Sequence, residues 1–175
     1  MAGEVLIILA GLPGVGKTTI ARELARRLVA VHVHIDAIEL AIRQSPAHAA
    51  VPMDEAGYRV GYAIAEGNLR LGHVVIADSV NPWPATRDAW KSVADRAGVR
   101  AVEIEIVCSD PVEHERRIVS REPDPSGSRP LTWQQVLARD YRHWHRNHTT
   151  VDTALKSPDE AVSEALAVIP ARGVA

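Results

Sequence analysis

Apolar residues fall along this chain in two alternating patterns. Short unbroken runs such as Val5-Leu6-Ile7-Ile8-Leu9-Ala10 are followed by stretches in which Ile20, Leu24 and Leu28 recur at helical spacing. A brief continuous run bounded by glycine reads as a strand buried on both faces, and spacing of three to four residues reads as a helix with one apolar face. The pattern predicts strands over 5–10, 31–35, 73–77, 101–107 and, more weakly, 148–151. It predicts helices over 17–30, 38–43, 53–71 and 85–97, the last stopped by Gly98. Asp110 before Pro111 marks another helix start, Thr132 with Gln135 forms a capping box for a helix running to Arg146, and Ser157-Pro158 opens a last helix to Val168. Strands alternating with helices argue for an α/β chain with a parallel sheet covered on both faces.

Composition narrows the class. The chain has 175 residues, 24% of them charged and 46% hydrophobic. These values suit one globular domain over 1–175 and exclude collagen, coiled coil and disorder. Twenty basic against 22 acidic residues give a net charge of −2, with no general attraction to nucleic acid or anionic lipid. The basic residues are nearly all arginine, with Lys17, Lys91 and Lys156 the only lysines. A single cysteine, Cys108, excludes an internal disulfide framework and fits a reducing compartment. No run reaches the roughly 20 apolar residues of a membrane span, and no basic leader precedes Val5. The expectation is a cytoplasmic protein with no membrane partner.

Gly11-Leu12-Pro13-Gly14-Val15-Gly16-Lys17-Thr18 satisfies G-x-x-x-x-G-K-[ST] between a strand and a helix. In that context Gly11, Gly14, Val15 and Gly16 present main-chain N–H groups to a phosphate, with the positive end of the following helix behind them. Lys17 reaches the β- and γ-phosphates, Thr18 is placed to ligate Mg²⁺, and Thr19 is assigned to the α-phosphate. Asp78 follows the apolar Val74-Val75-Ile76-Ala77, the form expected of a carboxylate that holds Mg²⁺ through water. Its alternative role is to cap the next turn.

The loop alone does not choose between transfer to a substrate and hydrolysis. No N-K-x-D for guanine and no L-S-G-G-Q is present, Asp54-Glu55-Ala56-Gly57 lacks a preceding strand, and the length leaves no room for an AAA+ module with its helical subdomain. Transfer to a hydroxyl needs a base and a cationic lid. Asp36, at the end of the second strand, is the base candidate, or else a helix N-cap. Arg116, Arg117 and Arg121 are the lid candidates over about 110–131, or else a solvated face paired with Glu113, Glu115 and Glu122. Residues 122–130, with three prolines and Gly127, read as a loop.

Together these residues, with Asp78-Ser79-Val80-Asn81-Pro82, Arg87 and Cys108-Ser109-Asp110, resemble the small P-loop kinases over residues 4–155. That group includes polynucleotide 5′-hydroxyl kinases, chloramphenicol phosphotransferase, gluconate kinase and zeta-toxin-type kinases. The resemblance implies a three-layer P-loop NTPase fold with a five-stranded parallel sheet of nucleoside-kinase type and a helical lid, and ATP with Mg²⁺ as cofactors. It implies catalytic roles for Lys17, Asp36, Arg117 and Arg121, substrate-side roles for Asn81 and Arg87, and a place beside adenine for Asp152. Glu39 stands where polynucleotide kinases carry an arginine for the acceptor's phosphate. It favours a neutral or cationic small-molecule hydroxyl, as in the chloramphenicol phosphotransferase pattern. A single-stranded nucleic acid along Arg87, Arg139, Arg142 and Arg146 is the alternative partner, and a nucleotide switch without an acceptor is the alternative of another class.

Other residues are read as structural. His32 and His34 share a strand face with no third metal ligand at a convincing spacing, so they are placed on an active-site floor. His143, His145 and His148 are assigned to the surface. Cys108 is expected to be buried and inert, Trp83 to wall an acceptor pocket or pack the core, and Trp90, Trp133 and Trp144 to pack helices.

Overall fold

The computed structural model describes residues 4–46, 55–120 and 131–170. Five strands, β1 (Val5–Ala10), β2 (Val31–His34), β3 (Val75–Asp78), β4 (Arg100–Val107) and β5 (Thr149–Asp152), form one sheet in the order β2-β3-β1-β4-β5. Every pairing is parallel. The helices are α1 (Lys17–Leu28), α2 (Ile35–Gln44), α3 (Ala56–Arg70), α4 (Pro84–Ala97), α5 (Pro111–Val119), α6 (Trp133–Leu137) and α7 (Pro158–Ala167). This is the α/β, five-stranded parallel architecture expected from the sequence. Among the described residues no helix is long and apolar enough to cross a membrane.

The central strand explains the layers. All six residues of β1 are fully buried, and their side chains alternate between two cores. Val5, Ile7 and Leu9 pack with Ile20 and Leu24 of α1 and Ala161, Val162 and Ala165 of α7. Leu6 and Ile8 pack on the other face with Ala65 and Leu69 of α3 and Trp90, Val93 and Ala94 of α4. The carboxyl ends of the strands then share one rim. Leu9 pairs with Asp78, His34 pairs with Asp78, and Val107 pairs with Asp152.

Several boundaries differ from the sequence reading. The second strand stops at His34, and α2 begins at Ile35, so Asp36 lies inside the first turn of that helix and neither ends the strand nor caps the helix. The N-cap position is His34, whose side chain makes no capping bond. Asp78 is the last residue of β3 itself. The helix expected from Thr132 to Arg146 has its capping box but ends at Leu137.

One buried cation binds the segment beyond that stop and competes with a continued helix. Arg87 of α4 is 2% exposed and donates to the carbonyls of Asn81, Pro82, Arg142 and His143. Its guanidinium lies over the rings of Tyr141 and Trp144 at 5.1 and 4.3 Å. Arg142 N–H in turn donates to Pro82 O at 2.8 Å. Main-chain groups that a longer helix would bond internally are thus bonded to Arg87 and to the loop after β3. Arg87→Leu is expected to lower stability by about 3 kcal/mol, since it removes the donor from the buried Asn81 carbonyl and from the partly buried carbonyls of Arg142 and His143. Arg87→Lys should recover only part of that, because a point charge lacks the planar fork. Urea unfolding of the two variants measures both.

Candidate active site

The loop from Gly11 to Gly16 joins β1 to α1, and its path requires glycine. Gly11 has φ +137°, and a Cβ there would lie 2.2 Å from Ile106 O. Gly14 has φ +85°, and a Cβ would lie 2.6 Å from Ile118 Cδ1. Gly11 N–H donates to Val80 O at 3.1 Å, tying the loop to the segment after β3. Gly16 is the N-cap of α1 and supplies no side-chain cap, so the first amides of α1 face the loop's concavity, the arrangement that suits an anion. Lys17 is 8% exposed, and its Nζ donates to Leu12 O at 2.9 Å across the loop.

Two outer braces fix the loop's shape. His114 of α5 donates from Nε2 to Pro13 O at 2.7 Å, while its ring meets Trp133 edge-on at 4.9 Å. Thr153, just after β5, places Oγ1 2.8 Å from Val15 O and 3.0 Å from Val107 O. The same Oγ1 accepts from Arg117 Nη1 at 2.8 Å, and Thr153 O accepts from Arg117 Nη2 at 2.8 Å. Arg117 Nε donates to Glu113 Oε1 at 2.7 Å. Hydrogen bonds from Arg116 and Arg117 hold the Glu113 carboxyl down to about 2. In this arrangement Arg117, expected as a closing cation, is a strut between α5 and the loop. Arg121, and Glu122–Pro130 with it, lies outside the described residues, as does Asp54.

Carboxylates line the opposite side. Asp78 is 1% exposed, and burial works to raise its pKa. The hydrogen bond from His32, the nearby His34 and Lys17, and a bond from the Thr18 hydroxyl outweigh burial, and the net shift is downward. The carboxylate is therefore ionised although buried. Asp36 is exposed, with Oδ2 3.9 Å from His34 Nε2. Glu39, three residues on, is half-buried, and desolvation followed by the charge of Asp36 pushes its pKa up. Its Cγ occupies the space beside Gly57, where a Cβ would come within 2.3 Å.

A cavity of about 650 Å³ joins these parts. Gly14, Gly16, Lys17, Thr18 and Thr19 form its floor, Asp36, Asp78 and His34 one flank, and Arg116, Arg117 and Arg139 line it as well. Arg22, Lys156, Ser157 and Pro158 extend it along α1 and the start of α7. Gly11 and Val15 shape the loop from behind. Glu39 does not line the cavity, and neither do Asn81, Arg87 and Asp152. Asn81 is fully buried at φ +47°, and its Nδ2 donates to Leu9 O at 2.7 Å. A substrate-side role for Asn81 and Arg87 meets a physical obstacle, because both are enclosed and bonded to main chain. Asp152 Oδ1 accepts from Ser109 N at 3.1 Å and Ala154 N at 3.0 Å, fastening the turns after β4 and β5.

The proposed arginine groove also divides. Arg146 pairs with Glu103 and Asp88, and Arg142 with Asp140, leaving Arg139 alone of the four on the cavity. Trp83 is 48% exposed and donates to Asp140 Oδ2 at 3.1 Å, away from both the core and the cavity. The sequence reading missed the bracing roles of His114 and Thr153. A motif search has no handle on either, since each acts on a loop distant in sequence.

Residues 6–139 match the family described as "AAA domain". No curated protein matches the chain in sequence. Among solved structures, the fold matches a gluconokinase from Sinorhizobium meliloti 1021 at 20% identity and TM-score 0.63, covering 95% of this chain and 92% of that one. It matches a protein from Chloroflexus aurantiacus j-10-fl at 22% identity and TM-score 0.71, covering 95% and 96%. It also matches the Mycobacterium tuberculosis APS kinase CysC, solved with AMPPNP and APS, at 18% identity and TM-score 0.65, covering 95% and 98%.

The Glu113 pairing can be tested directly. Its carboxyl carbon is expected to titrate near 2 by NMR in the intact protein. Arg117→Met should move it toward the ordinary value of about 4.3. Because the folded value is depressed, the stabilisation is present above the unfolded value and fades as pH falls through the folded one.

Proposed function

The chain belongs to the AAA domain family, and on that premise we propose that it is a kinase, moving the γ-phosphate of ATP to a hydroxyl of a small molecule. The observation that carries this reading is the single cavity on which Lys17, Thr18, Asp78 and Asp36 converge. The folds of the gluconokinase and the APS kinase support it.

The loop amides and the amino end of α1 bind the β- and γ-phosphates, and Lys17 adds a cation there. Thr18 and the ionised Asp78 are hard oxygen donors already bonded to each other, so a Mg²⁺ ion fits beside them. Held by these two residues, Mg²⁺ would supply positive charge against the triphosphate. Asp36, open to the cavity, accepts the proton as the acceptor's oxygen bonds to the γ-phosphorus and ADP departs. Arg116 and Arg139 line the cavity and stabilise charge spread over the transferring group, while Arg117, bonded to Glu113 and Thr153, holds the shape of the loop beside them. Lys156-Ser157-Pro158 and Arg22 flank the far end, where the base would lie, with Asp152 fixing the turns behind it.

The acceptor is a neutral or cationic alcohol. Asp36 stands at the mouth and Glu39 behind it, and Arg43 is 3.5 Å from Glu39, so the flank carries no excess of positive charge for a phosphate. The pairing of Arg142 and Arg146 with acidic neighbours, and the burial of Arg87, weigh against a nucleic-acid strand.

The test is incubation with γ-labelled ATP and panels of alcohols, sugars, amino alcohols, nucleosides and oligonucleotides. Label on a small neutral or cationic product is the expected result. Label on an oligonucleotide 5′ end would overturn the acceptor class, and slow hydrolysis without any labelled product would leave the switch. Once an acceptor is found, Asp36→Asn should reduce turnover about 100-fold or more with ATP affinity near that of the parent. Lys17→Ala should abolish turnover and weaken ATP binding in a fluorescence titration.

A further inference from the structure

The carboxylate at the end of β3 is held by a histidine that the transfer reaction does not use. His32 and His34 alternate along β2, so their side chains share a face of the sheet. His34 pairs in register with Asp78, which brings the three side chains to one place. His32 Nε2 lies 3.0 Å from Asp78 Oδ2, and His34 Nε2 lies 3.8 Å from the same oxygen. An ionised carboxylate only accepts, so the His32 nitrogen in this bond carries the proton. The two imidazoles stack with centroids 5.5 Å apart and planes at 12°, which limits rotation of the His32 ring.

Both histidine contacts fall on one oxygen of a carboxyl group that is 1% exposed. Neither of these two contacts is to Oδ1. A carboxylate without such a contact would be free to turn about its terminal torsion, which is broad.

We propose that His32 is a positioning residue for Asp78: its Nε2–H holds Oδ2 and so presents the remaining carboxylate oxygen to a divalent cation beside Thr18. This rests on the cation site described under the proposed function. His32 itself is absent from the cavity wall, so it acts through Asp78 and not by touching substrate.

Binding of Mn²⁺ to the ADP-saturated protein, read from the free-ion EPR signal, tests this without any turnover. Partners that orient a metal's ligands are commonly worth 10–100-fold in affinity, and His32→Leu should weaken Mn²⁺ by about 10-fold or more. ADP affinity measured in EDTA should stay at the parent value. His32→Gln, whose amide reaches about as far as Nε2, should regain most of the loss, and the shorter His32→Asn should not. The Gln–Asn comparison stands even if the leucine variant fails to fold. Asp78→Asn and Thr18→Ala serve as references. If they weaken Mn²⁺ while His32→Leu does not, or if Gln and Asn behave alike, the positioning role is overturned and the cation site stands. If Asp78→Asn and Thr18→Ala also bind Mn²⁺ like the parent, the cation site fails and the role of His32 with it.

Discussion

The rim of this molecule is organised by one requirement: the main chain from Gly11 to Gly16 must turn tightly where β1 ends, with positive φ at Gly11, Gly14 and Gly16. A chain of L-residues resists that path, and glycines with positive φ remove the resistance without supplying any force to hold the shape. The holding force comes from elsewhere. Val80 O, His114, Thr153 and the wall at Ile106 each meet the loop from a different element. The loop is therefore a product of the whole sheet edge. Each brace reaches it because the strands stop in step, a consequence of parallel register.

That arrangement explains what could be read from the chain and what could not. The buried runs gave the strands because a six-residue apolar segment between polar flanks has few other homes. The turn between β1 and α1 was legible because its signal is local: glycines, a lysine and a threonine at fixed spacing. Asp78 was legible for the same reason, since an acid after an apolar strand stands at the strand's end. Asp36 was legible as a cavity residue, but its place on α2 was not. The change from strand to helix at Ile35 follows from packing of that side chain into the core beneath α3, and the local sequence carries no marker of it.

Residues whose role depends on partners far along the chain were the ones misjudged. Arg87 and Asn81 look like ligand contacts in a linear reading because polar residues beside a strand end often are. In three dimensions each is enclosed and bonded to main chain. Arg117 was sought as a mobile cation, yet its three donors are directed at Glu113 and Thr153. Spacing on a helix shows which side chains are neighbours, but not which wall of the molecule the helix will face. The helix after Thr132 was overextended for a related reason. Its start is written in a capping box, while its end is imposed by a competing set of bonds.

The enclosed guanidinium of Arg87 carries an implication for descent. It supplies donors to two stretches, 81–82 and 142–143, that have no regular structure to supply their own, and it rests on two aromatic rings. A descendant that lost this arginine would retain carbonyls with no donor inside the protein, so selection would act on the aromatic neighbours and the connecting segments in the same step. Positions 87, 141 and 144 should consequently co-vary among homologues, changing as a set or not at all, whatever substrate each homologue has come to use.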